Sequence, residues 1–121
     1  MAGEQAADYF VKQKGLEILS FRILGTRTDA RDVASACRLA IEVEEVEPGP
    51  YNIAGPRVVL EEESRALVER YFGERTELRD GLQGFDSPLS CAKARRVFGW
   101  TPRYAWSQKT QHPEEENLWR N

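Results

Sequence analysis

The alternation of hydrophobic and polar positions predicts a chain of helices separated by short strands. Residues 28–55 carry the clearest pattern, a helix followed by a loop and a strand that ends at Gly55. The helix has apolar positions three or four residues apart, which form a narrow stripe: Val33, Cys37, Ala40 and Ile41. Such a stripe suits a helix that lies closely on a sheet. Asp32 is placed to cap this helix, because its carboxylate can accept from the unpaired amides of the first turn.

The preceding segment predicts a helix and then a buried strand. Residues 2–14 carry an apolar face at helical spacing: Ala2, Ala6, Tyr9, Phe10 and Gln13. Gly15 suits the left-handed conformation that ends a helix. A nearly continuous apolar run then begins at Leu16 and ends at Leu24. Such a run is typical of a strand that is buried on both faces of a parallel sheet.

The second half of the chain predicts two more helices. A brief extended piece over residues 57–60 precedes an amphipathic helix over residues 61–72. Ser90 is placed to cap a final helix over residues 91–98, which Gly99 ends. The sequence therefore predicts an α/β chain in which helices dominate and two or three strands are short.

An aromatic segment follows the last predicted helix. We call residues 100–106 the aromatic strap, because they contain Trp100, Tyr104 and Trp106. These rings are costly to leave in water, so we expect the strap to pack on the domain. Residues 107–121 are polar and without pattern, and we predict a disordered tail after a single domain over residues 1–106.

Composition and charge narrow the function classes. Seventeen basic and twenty acidic residues give a net charge of −3, which implies no general attraction to nucleic acid or to an anionic membrane. No apolar run approaches the roughly 20 residues of a membrane helix, and the N-terminus lacks a signal-like pattern, so we expect a cytoplasmic protein. We interpret Cys37 and Cys91 as reduced packing residues rather than as a disulfide or metal ligands.

Two motifs carry a resemblance to a known family. Asp-x-Arg-Asp-Val-Ala-x-Ala begins at Asp29, and Asn-Ile-Ala-Gly begins at Asn52. Ser-Cys-Ala-Lys-Ala-Arg-Arg-Val-Phe-Gly-Trp-Thr-Pro, over residues 90–102, is the more specific stretch. Together they resemble the C-terminal half of the NAD-dependent epimerase/dehydratase family, the extended branch of the short-chain dehydrogenase/reductases. The resemblance implies the C-terminal segment of a doubly wound, NAD(P)-binding Rossmann-type fold, in a family whose members act on nucleotide sugars or sugar acids.

The resemblance also implies that the catalytic parts of the family are missing. Residues 2–9 are similar to the segment that follows the catalytic Tyr-x-x-x-Lys, so by that register the Lys would lie just before Met1. The glycines are too widely spaced for a dinucleotide-binding turn. Only residues 25–27 stand where relatives have a longer substrate-contacting segment. We therefore expect no cofactor on this chain alone, NAD or NADP in intact relatives, and no catalytic or metal residues here.

Three residues are candidates for contact with a ligand: Asn52, Arg79 and Lys93. In relatives the loop before the last helix lies near the substrate, which is the basis for Arg79. The alternative for Asn52 is backbone capping at the end of a strand, and for Lys93 it is a surface position on the last helix. We favour the alternative, without a ligand, for all three residues.

Two function hypotheses follow. The first is a truncated epimerase/dehydratase-like protein that is not catalytically competent alone: a remnant, a misassigned start, or a half that needs a partner chain. The second is a non-catalytic interaction or ligand-binding module that reuses the aromatic strap and the Arg79 loop. Because the apolar strand over residues 16–24 has few neighbours, we expect the chain alone to be either poorly folded or self-associated through this strand. A complementary N-terminal half is the other partner that this strand could pair with.

Overall fold

The computed structural model describes residues 2–23, 27–78 and 81–109. These residues form a mixed α/β structure with four α-helices and one two-stranded sheet, which confirms the α/β expectation. The elements in order are α1 (Ala2–Lys14), β1 (Leu19–Ile23), α2 (Ala30–Glu42), β2 (Gly49–Ile53), α3 (Ser64–Phe72) and α4 (Ala92–Phe98). A single 3-10 turn, Gly73–Arg75, follows α3. None of the described helices is long and apolar enough to span a membrane.

The sheet is a parallel pair joined by α2 as the crossover helix. Leu19 lies opposite Gly49, and Ile23 lies opposite Ile53. The strand is shorter than the predicted run, and Leu24 lies outside the described residues. The prediction that this strand is buried on both faces is wrong, because none of its five described residues is buried and Ile23 is 56% exposed. The reason is that β2 is its only strand partner within the described part of the chain.

The core lies between β2, α2, α4 and the start of the aromatic strap. Its buried members are Ala36, Tyr51, Ile53, Ala94, Phe98 and Trp100. Phe98 of α4 lies against both strands, with its ring centroid 5.2 Å from that of Tyr51 and 6.0 Å from that of Phe21. Burial of an aromatic side chain of this size contributes roughly 2 to 3 kcal/mol. These contacts hold α4 on the sheet.

Helix α2 is rotated relative to the prediction. Its N-cap is Asp29, whose side chain accepts from the amide of Arg31, and Asp32 lies inside the first turn. The predicted stripe is wrong in part: Cys37 is exposed and Ile41 is 84% exposed. Instead Asp32 and Ala36 are buried. The aromatic strap covers this side of the helix, a contact too distant along the chain for local periodicity to show.

The two cysteines have different surroundings. Cys37 is exposed, so its interpretation as a packing residue is wrong, whereas Cys91 is partly buried. Both are free thiols. A cysteine at helical spacing with apolar residues therefore does not by itself fix which face of a helix is buried.

Helix α1 has the predicted bounds but turns its predicted apolar face outward. Among its described residues none is buried, and Tyr9 and Phe10 are 58% and 45% exposed. The inward side contains Glu4, whose carboxylate accepts two hydrogen bonds of 2.7 Å from the Arg22 guanidinium of β1. The polar pair fixes the helix on the strand, so the apolar stripe lies on the opposite side.

The remaining boundaries differ from the prediction by a few residues. Helix α3 begins at Ser64 rather than residue 61, and α4 begins at Ala92. Gly99 ends α4 in the left-handed conformation, with a φ of 69°. The packed chain continues past the strap, because Ser107 is 5% exposed and the amide of Gln108 donates to the Val59 carbonyl over 2.9 Å. Residues 110–121 of the predicted tail lie outside the described residues.

Candidate functional site

An open groove of about 1010 Å³ lies directly after the carboxyl end of β2. One wall is the segment that leaves the strand, Ala54 to Pro56, and the other contains Val68 and Phe72 of α3. The loop before α4 closes one side with Pro88 and Leu89. In open α/β sheets, ligands bind in crevices outside the carboxyl ends of the strands. The position and size of this groove make it the candidate site for a small molecule.

Polar side chains line part of the groove: Thr76, Glu77, Asp86, Ser87, Ser90, Arg95 and Thr101. Ser87 and Ser90 lie in the loop before α4, and Arg95 lies on α4. The Oγ of Ser87 accepts from the amide of Leu89 over 3.2 Å, and the Oγ of Ser90 accepts from the amide of Ala92 over 3.3 Å. Each hydroxyl keeps its own proton to donate. Among the described lining residues, the groove therefore offers apolar walls together with hydroxyl groups, two carboxylates and one guanidinium.

Cys91 is the one thiol among the described lining residues of the groove. Its Sγ donates to the Ala54 carbonyl over 3.9 Å. Burial raises the pKa of the Cys91 thiol, and the contact with Ala54 offsets this only in part. Because the thiolate is the reactive form, a raised pKa keeps this sulfur unreactive at neutral pH. Cys91 thus contributes packing rather than nucleophilic chemistry.

The structure places Asn52 and Lys93 at the contact between β2 and α4. The Nδ2 of Asn52 donates to the Ser90 carbonyl over 3.2 Å. The Nζ of Lys93 donates to the Pro50 carbonyl over 3.2 Å and lies 4.3 Å from the ring centroid of Tyr51. Neither residue is among those that line the groove. The two side chains thus connect α4 and the loop before it to β2.

The third candidate, Arg79, lies outside the described residues. Leu78 and Gly81, which are described, both line the groove. The structure therefore brings Asn52 and Lys93 to one helix–strand contact, and the candidate role of Arg79 stays a prediction.

The aromatic strap forms a second polar cluster at the start of α2. Both carboxylate oxygens of Asp32 accept backbone amides, from Arg103 over 2.9 Å and from Tyr104 over 3.0 Å. The indole of Trp106 donates to Asp29 over 3.0 Å. The indole of Trp100 donates to the backbone carbonyl of Asp32 over 2.9 Å. Through these bonds the strap is attached to the first turn of α2.

Two arginines pack on the strap rings. The guanidinium of Arg31 lies 3.8 Å from the ring centroid of Tyr104, and that of Arg27 lies 4.7 Å from the ring centroid of Trp106. A guanidinium over an aromatic face is attracted by the negative charge of the ring face. These contacts cover the outer side of the strap and add to its attachment.

The pKa values of the two carboxylates in this cluster, Asp29 and Asp32, are shifted in opposite directions. Hydrogen bonds from Arg31, and a smaller contribution from the Trp106 indole, lower the pKa of Asp29 to about 2. Burial raises the pKa of Asp32, although the amides of Tyr104 and Arg103 oppose the rise. Asp29 is thus stabilised as an anion. Burial disfavours the charge of Asp32, and the backbone amides of the strap stabilise it.

Sequence reasoning missed the role of this pair. The sequence contains Asp29 and Asp32 three residues apart, and either can cap a helix. Since only one residue can occupy the N-cap, the second carboxylate needs other donors. An aromatic segment rich in buried rings was visible downstream, but nothing in the local pattern shows that its backbone amides meet Asp32.

Comparisons with known proteins give no relative for this arrangement. No family model, no curated protein and no solved structure matches the chain. Within residues 2–23, 27–78 and 81–109, no group of three or more His, Cys, Asp or Glu side chains could hold a metal ion. The candidate site therefore consists of the groove after β2 and the side chains that line it.

Proposed function

We propose that these 121 residues are the C-terminal, substrate-side region of an NAD-dependent epimerase/dehydratase-like protein. The observation that carries the proposal is the β1–α2–β2 unit, a parallel pair with a groove at the carboxyl end of β2. Parallel strands occur almost always in larger sheets that are covered on both faces. We therefore infer that the unit is part of a Rossmann-type sheet, which a complementary N-terminal half would complete.

The outer edge of β1 is the place where such a strand would pair. The Ile18 carbonyl accepts from the Gly49 amide over 3.1 Å, so this carbonyl points toward β2. In a parallel ladder, alternate residues point to opposite edges. The backbone groups of Leu19, Phe21 and Ile23 therefore point to the other side, where no strand pairs with them among the described residues.

In this proposal the start of α2 does not hold a dinucleotide cofactor. In a Rossmann unit the pyrophosphate lies at the N-terminus of a helix that follows a strand, on glycine amides. Here the helix that follows β1 begins with the carboxylates of Asp29 and Asp32, which repel a pyrophosphate. NAD or NADP would belong to the complementary region. In this proposal the chain supplies the substrate groove and is not catalytically competent by itself.

Strand pairing at the outer edge of β1 tests the proposed function. We expect the Ile23→Lys variant to lose both self-association and pairing with a complementary N-terminal segment, because a charge on an edge strand opposes strand addition. Ile41→Lys is the matched control, since Ile41 is 84% exposed on α2. Light scattering after size exclusion gives the mass. If Ile23→Lys associates as the unmodified chain does, the edge is not an interface.

The coding sequence upstream of Met1 tests the family assignment. An in-frame glycine-rich turn followed by Tyr-x-x-x-Lys would support a region of a larger oxidoreductase or epimerase. A stop codon directly upstream with a strong ribosome-binding site would instead favour a short product and the second candidate.

The second candidate function is ligand binding by this chain alone. The groove after β2 favours it, since its described walls combine apolar residues with hydroxyl, carboxylate and guanidinium groups. Calorimetric titration with UDP-glucose and with glucuronate would test it, with Arg95→Ala as the variant and Arg38→Ala on α2 as the control. Saturable binding that Arg95→Ala weakens and Arg38→Ala leaves unchanged would support a binding module. Absence of binding to the isolated chain would leave the first proposal preferred.

A further inference from the structure

Helix α1 contacts both strands but buries little apolar surface there. None of its described residues is buried. The partly buried side chains are Glu4, Ala7 and Val11, which share one face of the helix. One of the three is charged and another is a single methyl group. Apolar burial therefore contributes little to the attachment of α1 to the sheet.

The sheet surface that α1 covers is in part polar. Arg22 of β1 points toward α1, because its guanidinium contacts Glu4. Ser20 lies on the same face of β1, and Asn52 of β2 is the register partner of Arg22. Water can solvate these polar groups, so their exposure costs little when the helix leaves this face.

One ion pair connects the start of α1 to the sheet. Both carboxylate oxygens of Glu4 accept from the Arg22 guanidinium over 2.7 Å, and a two-point pair of this kind is stronger than a single contact. At the other end of the helix, Gly15 has a φ of 65°, and residues 15–17 are exposed. Glu4 and Gly15 are about 16 Å apart along the helix. The pair therefore lies far from the point where the chain turns into β1.

We propose that α1 opens from the sheet as one unit, about a hinge at Gly15, while the rest of the chain stays folded, and that the Glu4–Arg22 pair controls this opening. An isolated helix of 13 residues is marginal in water, so α1 loses helical structure when it opens. Because the Arg22 side chain is 43% exposed, salt screens the pair and favours the open state. The inference does not depend on the proposed function, because it uses neither the outer edge of β1 nor the groove.

Amide hydrogen exchange of the dilute, monomeric chain measures the opening of α1 and of α2 separately. We expect protection of the Phe10 and Val11 amides in α1 to be at least about tenfold lower than that of the Ala36 and Cys37 amides in α2. Glu4→Arg turns an attractive pair into a repulsive one, so it should lower the protection of α1 about tenfold further and leave that of α2 unchanged. Sodium chloride at about 1 M should also lower the protection of α1.

A charge exchange separates the pair from the helix itself. Glu4→Arg also removes an acid from the first turn, which by itself weakens a helix. Adding Arg22→Glu restores the pair but not this acid, and should return the protection of α1 to within about threefold of the parent. Adding Arg38→Glu on α2 instead is the matched control and should give no recovery.

Several results would overturn the proposal. Equal protection of α1 and α2 in the parent would show that α1 opens only with the whole chain, and so would an equal loss in both helices caused by Glu4→Arg. An α1 without protection in the parent would show that the pair does not hold it. Failure of Arg22→Glu to restore protection, or equal recovery with Arg38→Glu, would show that Glu4 acts within the helix alone.

Discussion

We predict a specific, pH-dependent contribution of the Asp29 carboxylate to stability. Asp29 is 6% exposed, caps α2 and accepts hydrogen bonds from Arg31 and from the indole of Trp106. Its pKa falls from 3.8 to about 2, chiefly because of Arg31. A pKa shift of one unit corresponds to about 1.4 kcal/mol of stability. Because Arg31 is half-exposed, solvent screening reduces the stabilisation that this shift implies. We therefore expect the charge of Asp29 to contribute about 2 kcal/mol at neutral pH.

The sign follows from the lowered pKa. The contribution of Asp29 is complete above its unfolded pKa of 3.8 and is lost as the pH falls through about 2. Asn at this position still caps the helix but carries no charge. Asp29→Asn should therefore lower the free energy of unfolding by about 2 kcal/mol at pH 7 and by little at pH 2.

Urea unfolding followed by far-ultraviolet circular dichroism measures the effect at both pH values. Asp8→Asn, at an exposed position on α1, is the control and should change the free energy of unfolding by less than about 0.5 kcal/mol. The reasoning would be refuted if Asp29→Asn lowered the free energy of unfolding by the same amount at pH 7 and at pH 2, because the loss of stability would then not depend on the charge.

Three further outcomes test the packing of the strap, the core and the thiols. Asp32→Ala leaves two strap amides without their acceptor and should lower the free energy of unfolding by about 3 kcal/mol. Asp32→Asn keeps one acceptor and removes a buried charge, so it should lower the free energy of unfolding by less than about 1 kcal/mol. Equal losses for the two variants would contradict the hydrogen bonds assigned to Asp32. Phe98→Ala should lower the free energy of unfolding by about 3 to 4 kcal/mol in the same urea assay, and a loss below about 1 kcal/mol would show that α4 does not close the core. Alkylation by iodoacetamide, followed by mass spectrometry, should modify exposed Cys37 well before Cys91; the reverse order would contradict the raised pKa and burial of Cys91.

The order of the elements could be predicted because each depends on neighbouring residues. Gly15 and Gly99 both end helices with positive φ, as their positions in the pattern indicated. The bounds of α1 also follow from local composition. These features need no knowledge of distant contacts, so the sequence alone is sufficient for them.

The orientation of the helices could not be predicted, because it depends on contacts far along the chain. Asp32 is buried because amides more than seventy residues later bind its carboxylate. That contact turns α2 so that Ile41 faces outward. Likewise the pair between Glu4 and Arg22 fixes the inward side of α1 and leaves Tyr9 and Phe10 outside. Periodicity locates an apolar face but does not show what covers it.

The candidate site could not be predicted from the sequence for the same reason. Asn52 and Lys93 are the two described candidates for ligand contact, and each side chain contacts the backbone of a neighbouring element. The groove itself is built from Ala54, Pro56, Phe72 and Leu89, which are ordinary apolar or turn residues in the sequence. Their convergence depends on how α3 and the loop before α4 meet the end of β2, and only the fold shows it.

The central claim is that the outer edge of β1, which pairs with no strand in the described part of the chain, is available to another strand. Amide hydrogen exchange of the dilute, monomeric chain tests it most directly. We expect the amides of Leu19, Phe21 and Ile23 to exchange rapidly, while those of Ser20 and Arg22, which face β2, are protected. Equal protection of both sets in the monomer would contradict the claim, because β1 would then already be paired on both sides.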